Sequence, residues 1–324
     1  MHPDRQKSEL QVPPEKEGWR LDLFMVSQWP DYSRSYFQKC ILDHLVFVNN
    51  RHSRPSQTLK TGDKVVFLWP LLEVGELQAE DIPLEIIYED SDLLALNKQA
   101  GLVVHPASGN RTGTLVQGLL HYDEETFEEL SDENLRPGIV HRLDKYTSGV
   151  LVVAKNQDSF AALKNIFKER LAQKTYLAIV AGEFDSLTGS VEGQIGRHPQ
   201  NRLKMAVVPE GGKYALTRYR VIAAGQGCTL LKVRLHTGRT HQIRVHLSSL
   251  RHPVLGDRLY GGGGQALPCQ PQRQMLHAWK LAFKHPGNGQ HLELTAPPPA
   301  DFCQTAAALG LTLPSNDSTT EEGK

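Results

Sequence analysis

Short runs of aliphatic and β-branched residues recur along the chain after residue 84, and turns rather than helices separate most of them. Runs of this length predict β-strands, at 84–98, at 139–140 with 150–154, and at 175–182, 216–223 and 229–235. One stretch, 158–173, has the spacing of an amphipathic helix, with an apolar side formed by Phe160, Leu163, Phe167 and Leu171. Because strands and helices do not alternate as a βαβ repeat, the pattern favours an α+β fold with a mixed, mostly antiparallel central sheet and flanking helices.

The N-terminal part of the chain has a different pattern. Residues 20–29 have the apolar spacing of a helix, and Ser33 can cap a second helix directly after it. Two strand-like runs follow, at 45–49 and 64–69. The sequence therefore predicts a small module of two helices and a β-hairpin over 18–69.

Composition suggests the boundaries of the domains. We expect polar, disordered tails at 1–17 and 313–324, the small module at 18–69, a linker at 70–83 and a larger domain at 84–312. The acidic stretch 123–133 is interpreted as a solvated loop.

The 324 residues carry a formal net charge of zero, but the charges are unevenly distributed. Residues 72–135 have 15 acidic and 2 basic side chains, whereas 136–285 have 23 basic and 8 acidic side chains. Two solvated faces would explain this split, but a basic block of this size is also what a phosphate backbone requires. No apolar run is long enough to span a bilayer, and no signal-peptide core follows Met1, so we expect a cytoplasmic protein.

A group of charged residues, His141-Arg142-Leu143-Asp144-Lys145, lies between two strand-like runs. A buried carboxylate is costly unless a cation pairs with it. Neighbours on an extended chain point to different sides, so we expect the partner of Asp144 to come from elsewhere, with Leu143 in the core and Arg142 and Asp144 facing one cleft. The structural alternative is a turn in which Asp144 accepts backbone N–H bonds.

The segment 235–249 contains a candidate partner for this carboxylate. Arg244 stands among aliphatic residues of a predicted short helix with Thr240 as its N-cap, and a guanidinium in that setting suits a bidentate pair with a carboxylate. Three histidines of the segment are spaced by five residues, which argues against a metal site and favours capping or phosphate contacts, at His236, His241 and His246.

The small module resembles the S4 RNA-binding domain. The matching stretches are Arg20-Leu21-Asp22, Ser33-Arg34-Ser35, Val46-Phe47-Val48-Asn49 and 56–65. His44-Leu45 departs from the family, which usually has a glycine before the strand. The resemblance implies RNA binding through exposed cations that contact phosphates, for which the candidates are Arg34, Lys39, Arg51 and Lys60.

The larger domain resembles the RluA/RluD-type pseudouridine synthases, which are RNA-modifying isomerases. The matching motifs stand in the family's order at 88–106, 138–155, 174–182, 196–207 and 237–261. Gln99 stands where the family usually has proline, and Tyr146 stands where a small or acidic residue is commoner. The segment "GRHP" and the S4-like module are most similar to members that act on large-subunit ribosomal RNA.

The resemblance also implies a mechanism. Uracil is detached from C1′ of its ribose, turned and rejoined through C5, in a nucleotide flipped out of its stack, with no metal or organic cofactor. Asp144 would act at the sugar–base junction, as a nucleophile or as a proton acceptor; Tyr176 would transfer the C5 proton; and Arg244 would hold Asp144 ionised. Arg142 would fill the space that the base leaves, and further RNA contacts are expected from His141, Arg239 and His241.

Two alternatives stay open at this level. One is a synthase that acts on transfer RNA. The other is a non-catalytic RNA-binding factor of ribosome assembly, in which the domain is only a scaffold. In each case the partner is RNA, and we expect a monomer.

Overall fold

The computed structural model describes residues 7–29, 32, 34–69, 77–106, 110, 112–130, 136–201, 203–261 and 267–315. The chain divides into two compact units, Met1–Glu76 and Leu77–Lys324. None of the helices in these ranges is long and apolar enough to cross a membrane.

The first unit combines two helices with a small sheet. Its elements are β1 (Lys7–Gln11), α1 (Leu21–Gln28), α2 (Arg34–Leu42), β2 (Val46–Val48), β3 (Arg51–His52) and β4 (Lys64–Leu68). The strands form one sheet in the order β1-β4-β2-β3. Leu21, Phe24 and Met25 of α1 are buried against Phe37 of α2, as the helical spacing predicts. The predicted cap at Ser33 lies outside the described residues.

The prediction of a disordered tail over 1–17 is wrong for the residues that the structure describes. β1 pairs with β4 in antiparallel register, from Lys7 opposite Leu68 to Gln11 opposite Lys64. The strand is held by backbone hydrogen bonds while its side chains stay largely exposed, so it has no hydrophobic pattern to detect. Only Val12, at its end, is buried in the core.

The turn before β2 keeps a left-handed conformation although it lacks a glycine. His44 has a φ of 59° there, and its ring lies 4.5 Å from that of His52. A non-glycine residue pays a steric penalty in this region, which an aromatic contact partly offsets. The departure from the S4 pattern therefore leaves the turn intact.

The second unit is built on a large sheet with helices beside it. Its strands are β5 (Ile86–Glu89), β6 (Leu93–Lys98), β7 (Ser148–Ala154), β8 (Gln173–Ala181), β9 (Thr188–Arg197), β10 (Met205–Val208), β11 (Lys213–Gly225), β12 (Cys228–Leu235), β13 (Leu276–Lys284) and β14 (His291–Thr295). Its helices are α3 (Leu115–Tyr122), α4 (Glu124–Glu129), α5 (Gln157–Lys168), α6 (Gln242–Ser249) and α7 (Ala300–Ala308).

The strand order is β10-β9-β11-β12-β8-β13-β7-β6-β5, with β14 paired to β13. Every pairing in this sheet is antiparallel except that of β13 with β7, which is parallel over Ser148 and Gly149. The predicted α+β fold with a mixed, mostly antiparallel sheet is confirmed.

β6 and β7 are buried on both faces of the sheet. Leu151 and Val153 pack into one core cluster, whereas Val150 and Val152 pack into a second cluster that includes Leu163 of α5. Successive residues of a strand point to opposite faces, so the continuous apolar run of β7 supplies two cores at once.

The structure corrects two predictions around α4 and α5. The acidic stretch 123–133 contains a helix, whose N-terminus is capped by the Asp123 side chain and whose Phe127 is fully buried. Acidic residues are favoured in the first turn of a helix, so the charge pattern fits a helix start as well as a loop. The helix predicted over 158–173 ends early, because Arg170 has a φ of 61°, and Leu171 is 63% exposed.

The linker prediction is wrong in its second half. Leu77 and Ile82 pack against the core, and the Glu80 carboxylate accepts a hydrogen bond from the Gln117 side chain. Residues 70–76 lie outside the described ranges. Of the predicted C-terminal tail, Leu313 packs against the α7 core cluster, and 316–324 lie outside those ranges as well.

Candidate active site

Asp144 lies on the turn that leads into β7. The Thr147 N–H donates to the Asp144 carbonyl at 3.0 Å, and 23% of the Asp144 side chain is exposed. The Nη1 atom of Arg244 donates to Oδ2 of Asp144 at 2.9 Å. The structure thus joins two residues that stand 100 positions apart in the sequence.

A second carboxylate, which the sequence analysis missed, completes the pair. Asp257 accepts from Nε of Arg244 at 2.6 Å and from Nη2 at 3.0 Å. The bidentate partner is therefore Asp257, and Asp144 receives only the remaining Nη1. Burial opposes the charge of Arg244, but its bonds to Asp257 and Asp144 outweigh burial and raise its pKa. The one signal for Asp257 was its position in the matched motif 237–261.

Two buried cations hold the turn that carries Asp144. The ammonium of Lys98, 2% exposed, donates to three backbone carbonyls, those of Gln99, Leu102 and Lys145. The guanidinium of Arg273 donates to the carbonyl of Tyr146 at 3.2 Å. Burial lowers the pKa of Lys98 to about 7, against the opposing charge of Asp144. Sequence analysis identified neither cation.

α6 positions Arg244, but it begins one residue later than predicted. Its N-cap is His241, in a left-handed conformation with φ 57°, and not Thr240. Nδ1 of His241 lies 2.9 Å from the Tyr260 hydroxyl. The Arg244 guanidinium stands 5.0 Å from the centre of the Tyr260 ring, so Tyr260 supports both residues.

Tyr176 is 9% exposed in the middle of β8, where it pairs with Val233 of β12 and Ala278 of β13. Burial, and then the charge of Asp144, raise the pKa of its hydroxyl well above the ordinary value. The phenol is therefore protonated at neutral pH. Any transfer of a substrate proton through Tyr176 must begin from this neutral hydroxyl.

Asp144, Tyr176 and Arg244 line one cleft of about 590 Å³. The described lining holds seven lysine and arginine side chains and a single carboxylate, that of Asp144. Arg142 also lines the cleft, while Leu143 is 6% exposed and packs into the core cluster, as the strand alternation predicts. A cleft lined by so many cations attracts a polyanion.

His141 has a structural contact that differs from its predicted RNA contact. Its Nε2 accepts a hydrogen bond from the Val152 N–H at 2.9 Å, and its ring stacks on Phe167 at 4.3 Å. Burial, and secondarily the charge of Lys174, lower the pKa of His141 to about 3. The neutral ring therefore serves as a hydrogen-bond acceptor for the edge of β7.

The predicted phosphate contacts of the first unit lie in different surroundings. Arg34 donates to Oδ2 of Asp22 from Nε at 3.0 Å and from Nη2 at 2.9 Å, and the Asp22 side chain is fully buried. Lys39, Arg51 and Lys60 are exposed. Arg34 thus has a structural partner, and the other three present their ammonium or guanidinium groups to solvent.

The described histidines show no metal cluster around α6. His246 bonds to the Thr217 hydroxyl at 2.9 Å, and the only group of three close potential ligands in the described ranges is Asp90, Asp92 and His285. Nε2 of His285 lies 2.8 Å from Asp90, while its Nδ1 accepts from the N–H groups of Gly287 and Asn288. Both nitrogens of this imidazole are engaged, so the group ties two turns together.

Known proteins share this architecture and these motifs. A family model described as RNA pseudouridylate synthase matches residues 92–249. The chain is 41% identical over 313 residues to ribosomal large subunit pseudouridine synthase D of Neisseria meningitidis serogroup A. The match covers 93% of this chain and 82% of the relative. It is 39% identical over 302 residues to the protein of the same name from Escherichia coli O6:H1, with 89% of each chain covered.

A solved structure is also similar. Human RNA pseudouridylate synthase domain containing 1 has a TM-score of 0.54 and 29% sequence identity, and the match covers 70% of this chain and 87% of that one. Identity near 40% over about nine-tenths of the chain means that the chain belongs to the RNA pseudouridylate synthase family, among its RluA/RluD-type members.

Proposed function

We propose that this protein converts specific uridines of large-subunit ribosomal RNA to pseudouridine, with Asp144 as the essential group. The observation that carries the proposal is the position of Asp144, the single carboxylate in the described lining of a cationic cleft, where Arg244 holds it beside Tyr176. The names of the relatives support the choice of ribosomal RNA.

The reaction breaks the C1′–N1 bond and forms a C1′–C5 bond, while a proton leaves C5 and N1 regains one. Asp144 acts at C1′, either by adding to it or by removing a proton from the sugar. Arg244 orients this carboxylate through the hydrogen bond from its Nη1 atom. Tyr176 packs against the uracil. Because its phenol is neutral, the hydroxyl accepts the C5 proton only as it releases its own proton, which returns to N1.

RNA recognition divides between the two units. In the larger unit, Arg142 fills the space of the flipped base, and Arg239 and His241 contact the strand. In the small unit, Lys39, Arg51 and Lys60 contact phosphates through exposed cations, and Arg34 does so through the part of its guanidinium not bound to Asp22. The protein acts as a monomer in the cytoplasm, where its substrate is. An isomerisation changes neither composition nor oxidation state, so the proposal includes no cofactor.

The test is pseudouridine mapping on unmodified RNA. The purified protein and its Asp144→Asn variant are incubated with large-subunit ribosomal RNA and, in parallel, with transfer RNA. We expect modification of the ribosomal RNA by the wild type and none by the variant. Asp257 makes the bidentate bond to Arg244, so we expect the Asp144→Asn variant to keep this pair and to fold.

Other outcomes assign other functions. Modification of transfer RNA alone would replace the proposed substrate. Equal modification by Asp144→Asn would remove this aspartate from the mechanism. Binding of ribosomal RNA without modification of any RNA would indicate a scaffold.

A further inference from the structure

One wall of the cleft carries three cations, of which the proposed function uses only Arg239. Lys174 stands on β8, Arg170 lies two residues after the end of α5, and Arg239 lies in the loop before α6. Lys174 is two residues from Tyr176 on the same strand, so both side chains leave β8 on the same face, separated by about 7 Å of strand. A nucleotide whose base lies at Tyr176 would therefore place its backbone near Lys174.

These cations lack counter-ions within the part of the chain that the structure describes. Among the described residues none of the three forms an ion pair, and the one carboxylate of the cleft, Asp144, is bound to Arg244. Burial, and then the charges of Arg170 and Arg239, lower the pKa of Lys174. Like charges held together in a half-buried position repel one another until an anion neutralises them.

The local backbone keeps these groups in place and accessible. Nε of Arg239 donates to the carbonyl of Tyr214 at 2.9 Å, which fixes the guanidinium and leaves its two terminal nitrogens for a ligand. Gly238 passes close to Lys174, and a Cβ atom there would lie 3.6 Å from the Lys174 ammonium. The missing side chain leaves the ammonium open to the cleft.

We propose that Lys174, Arg170 and Arg239 form a phosphate-binding site for the RNA backbone next to the flipped uridine. The inference rests on the proposed function for the identity of its ligand, and it adds Lys174 and Arg170 to the residues that bind substrate. A planar guanidinium and an ammonium together suit a phosphodiester, which shares one negative charge between two non-bridging oxygens. The site anchors the backbone while the base enters the pocket at Tyr176.

The first test compares Lys174→Gln with Lys284→Gln, an exposed lysine on β13 outside the cleft lining. KM and kcat are measured on an unmodified ribosomal RNA transcript between about 50 and 200 mM KCl. For Lys174→Gln we expect KM to rise about tenfold with a smaller change in kcat, and the slope of log KM against log salt to fall by about 0.7. A KM and a slope equal to those of Lys284→Gln would overturn the proposal.

The second test leaves all three cations in place. Gly238→Asp puts a carboxylate beside Lys174, and Gly238→Asn puts a neutral group of the same size there; Gly238 lacks the positive φ that would strain either one. We expect RNA binding to weaken at least tenfold more in the Asp variant than in the Asn variant. Equal affinities would refute the site.

These measurements separate the two proposals. Pseudouridine formation by the wild type, with no effect of Lys174→Gln on KM or salt slope, removes the phosphate site alone. If the wild type modifies no RNA, the proposed function fails, and the direct binding comparison of Gly238→Asp with Gly238→Asn still decides the site.

Discussion

Arg244 divides its guanidinium between two carboxylates that have different tasks. Asp257, with 1% of its side chain exposed, takes the bidentate bond, whereas Asp144 takes a single bond and faces the cleft. Because Asp257 already pairs with the Arg244 guanidinium, Arg244 needs only one hydrogen bond to orient Asp144. The rest of the Asp144 carboxylate stays open to the cleft. Sequence alone suggests one pair, between Arg244 and Asp144. The structure shows that the bidentate pair is the buried one between Arg244 and Asp257.

The two aspartates should respond differently to the same substitution. Asp257→Asn breaks a buried ion pair and should lower the free energy of unfolding by about 3 kcal/mol, whereas Asp144→Asn should lower it by less than about 1 kcal/mol. Urea unfolding followed by tryptophan fluorescence measures both. For Asp257→Asn we also expect kcat to fall with little change in KM, since Arg244 loses its anchor; the same loss of stability in both variants would contradict this assignment.

Lys98 offers a second prediction for a single side chain. Lys98→Met leaves three carbonyls around the Asp144 turn without their donor, so we expect a loss of about 2 to 4 kcal/mol in the free energy of unfolding and a lower kcat. The control is Lys145→Met, whose exposed ammonium donates to the Asn110 side chain at 3.2 Å and lies over the Tyr146 ring. Thermal melting should separate the two variants, and equal melting temperatures would show that Lys98 does not hold the turn.

Among the elements, the pairing of β7 with β13 positions the turn that carries Asp144. The two strands run parallel for only two residues, at Ser148 and Gly149, and the Asp144 turn enters directly before them. Gly149 has a φ of 115°, and a Cβ atom there would lie 2.1 Å from the carbonyl oxygen of Ala278. Only glycine permits this approach, so the sheet and the site depend on the same residue.

Gly149→Ala should therefore be far more harmful than an alanine at another left-handed glycine. Gly101 has a φ of 94° with open space around it, so Gly101→Ala should cost only about 1 kcal/mol. For Gly149→Ala we expect a loss of more than about 3 kcal/mol, seen as a much lower melting temperature or as insoluble protein. Similar melting temperatures for the two variants would show that the β13 backbone at Ala278 can move to accommodate a side chain at position 149.

At the scale of the whole molecule, buried neutral histidines make stability depend on pH. Burial lowers the pKa of His141 to about 3 and the pKa values of His105, His246 and His277 to about 4. These groups take up protons near pH 6.5 in the unfolded chain and only near pH 3 to 4 in the folded protein. The unfolded state therefore binds more protons between these values.

The contribution of these four histidines to stability should be constant above about pH 7 and should decrease as the pH falls from 6.5 toward 4. Each histidine contributes a slope of at most about 1.4 kcal/mol per pH unit. Urea unfolding at several pH values measures the slope. We expect His277→Gln to reduce this slope by the contribution of one histidine, and His291→Gln, at an exposed position, to leave the slope unchanged. A flat profile for the wild type would mean that these histidines are charged in the folded state.

Several features of this protein followed from the sequence by itself. Strand runs, the helices α1, α2 and α5, and the approximate place of Asp144 and Arg244 are local patterns of apolar spacing and charge, whereas Tyr176 was identified only through the family resemblance. An element that buries one face carries apolar residues at the period of that element, so its sequence shows the pattern. These patterns also indicated that Asp144 needs a distant cation.

Only the tertiary structure decided the remaining features. β1 is held by backbone pairing with β4, although its own side chains are largely exposed. The Val152 N–H donates to the His141 ring, where a neighbouring strand would otherwise supply the acceptor, and Asp257 makes the bidentate bond to Arg244. None of these leaves an apolar period, because each depends on hydrogen bonds between residues that meet only after the sheet has formed. The sequence determined which residues are apolar, charged or reactive, and the fold decided which of them are partners.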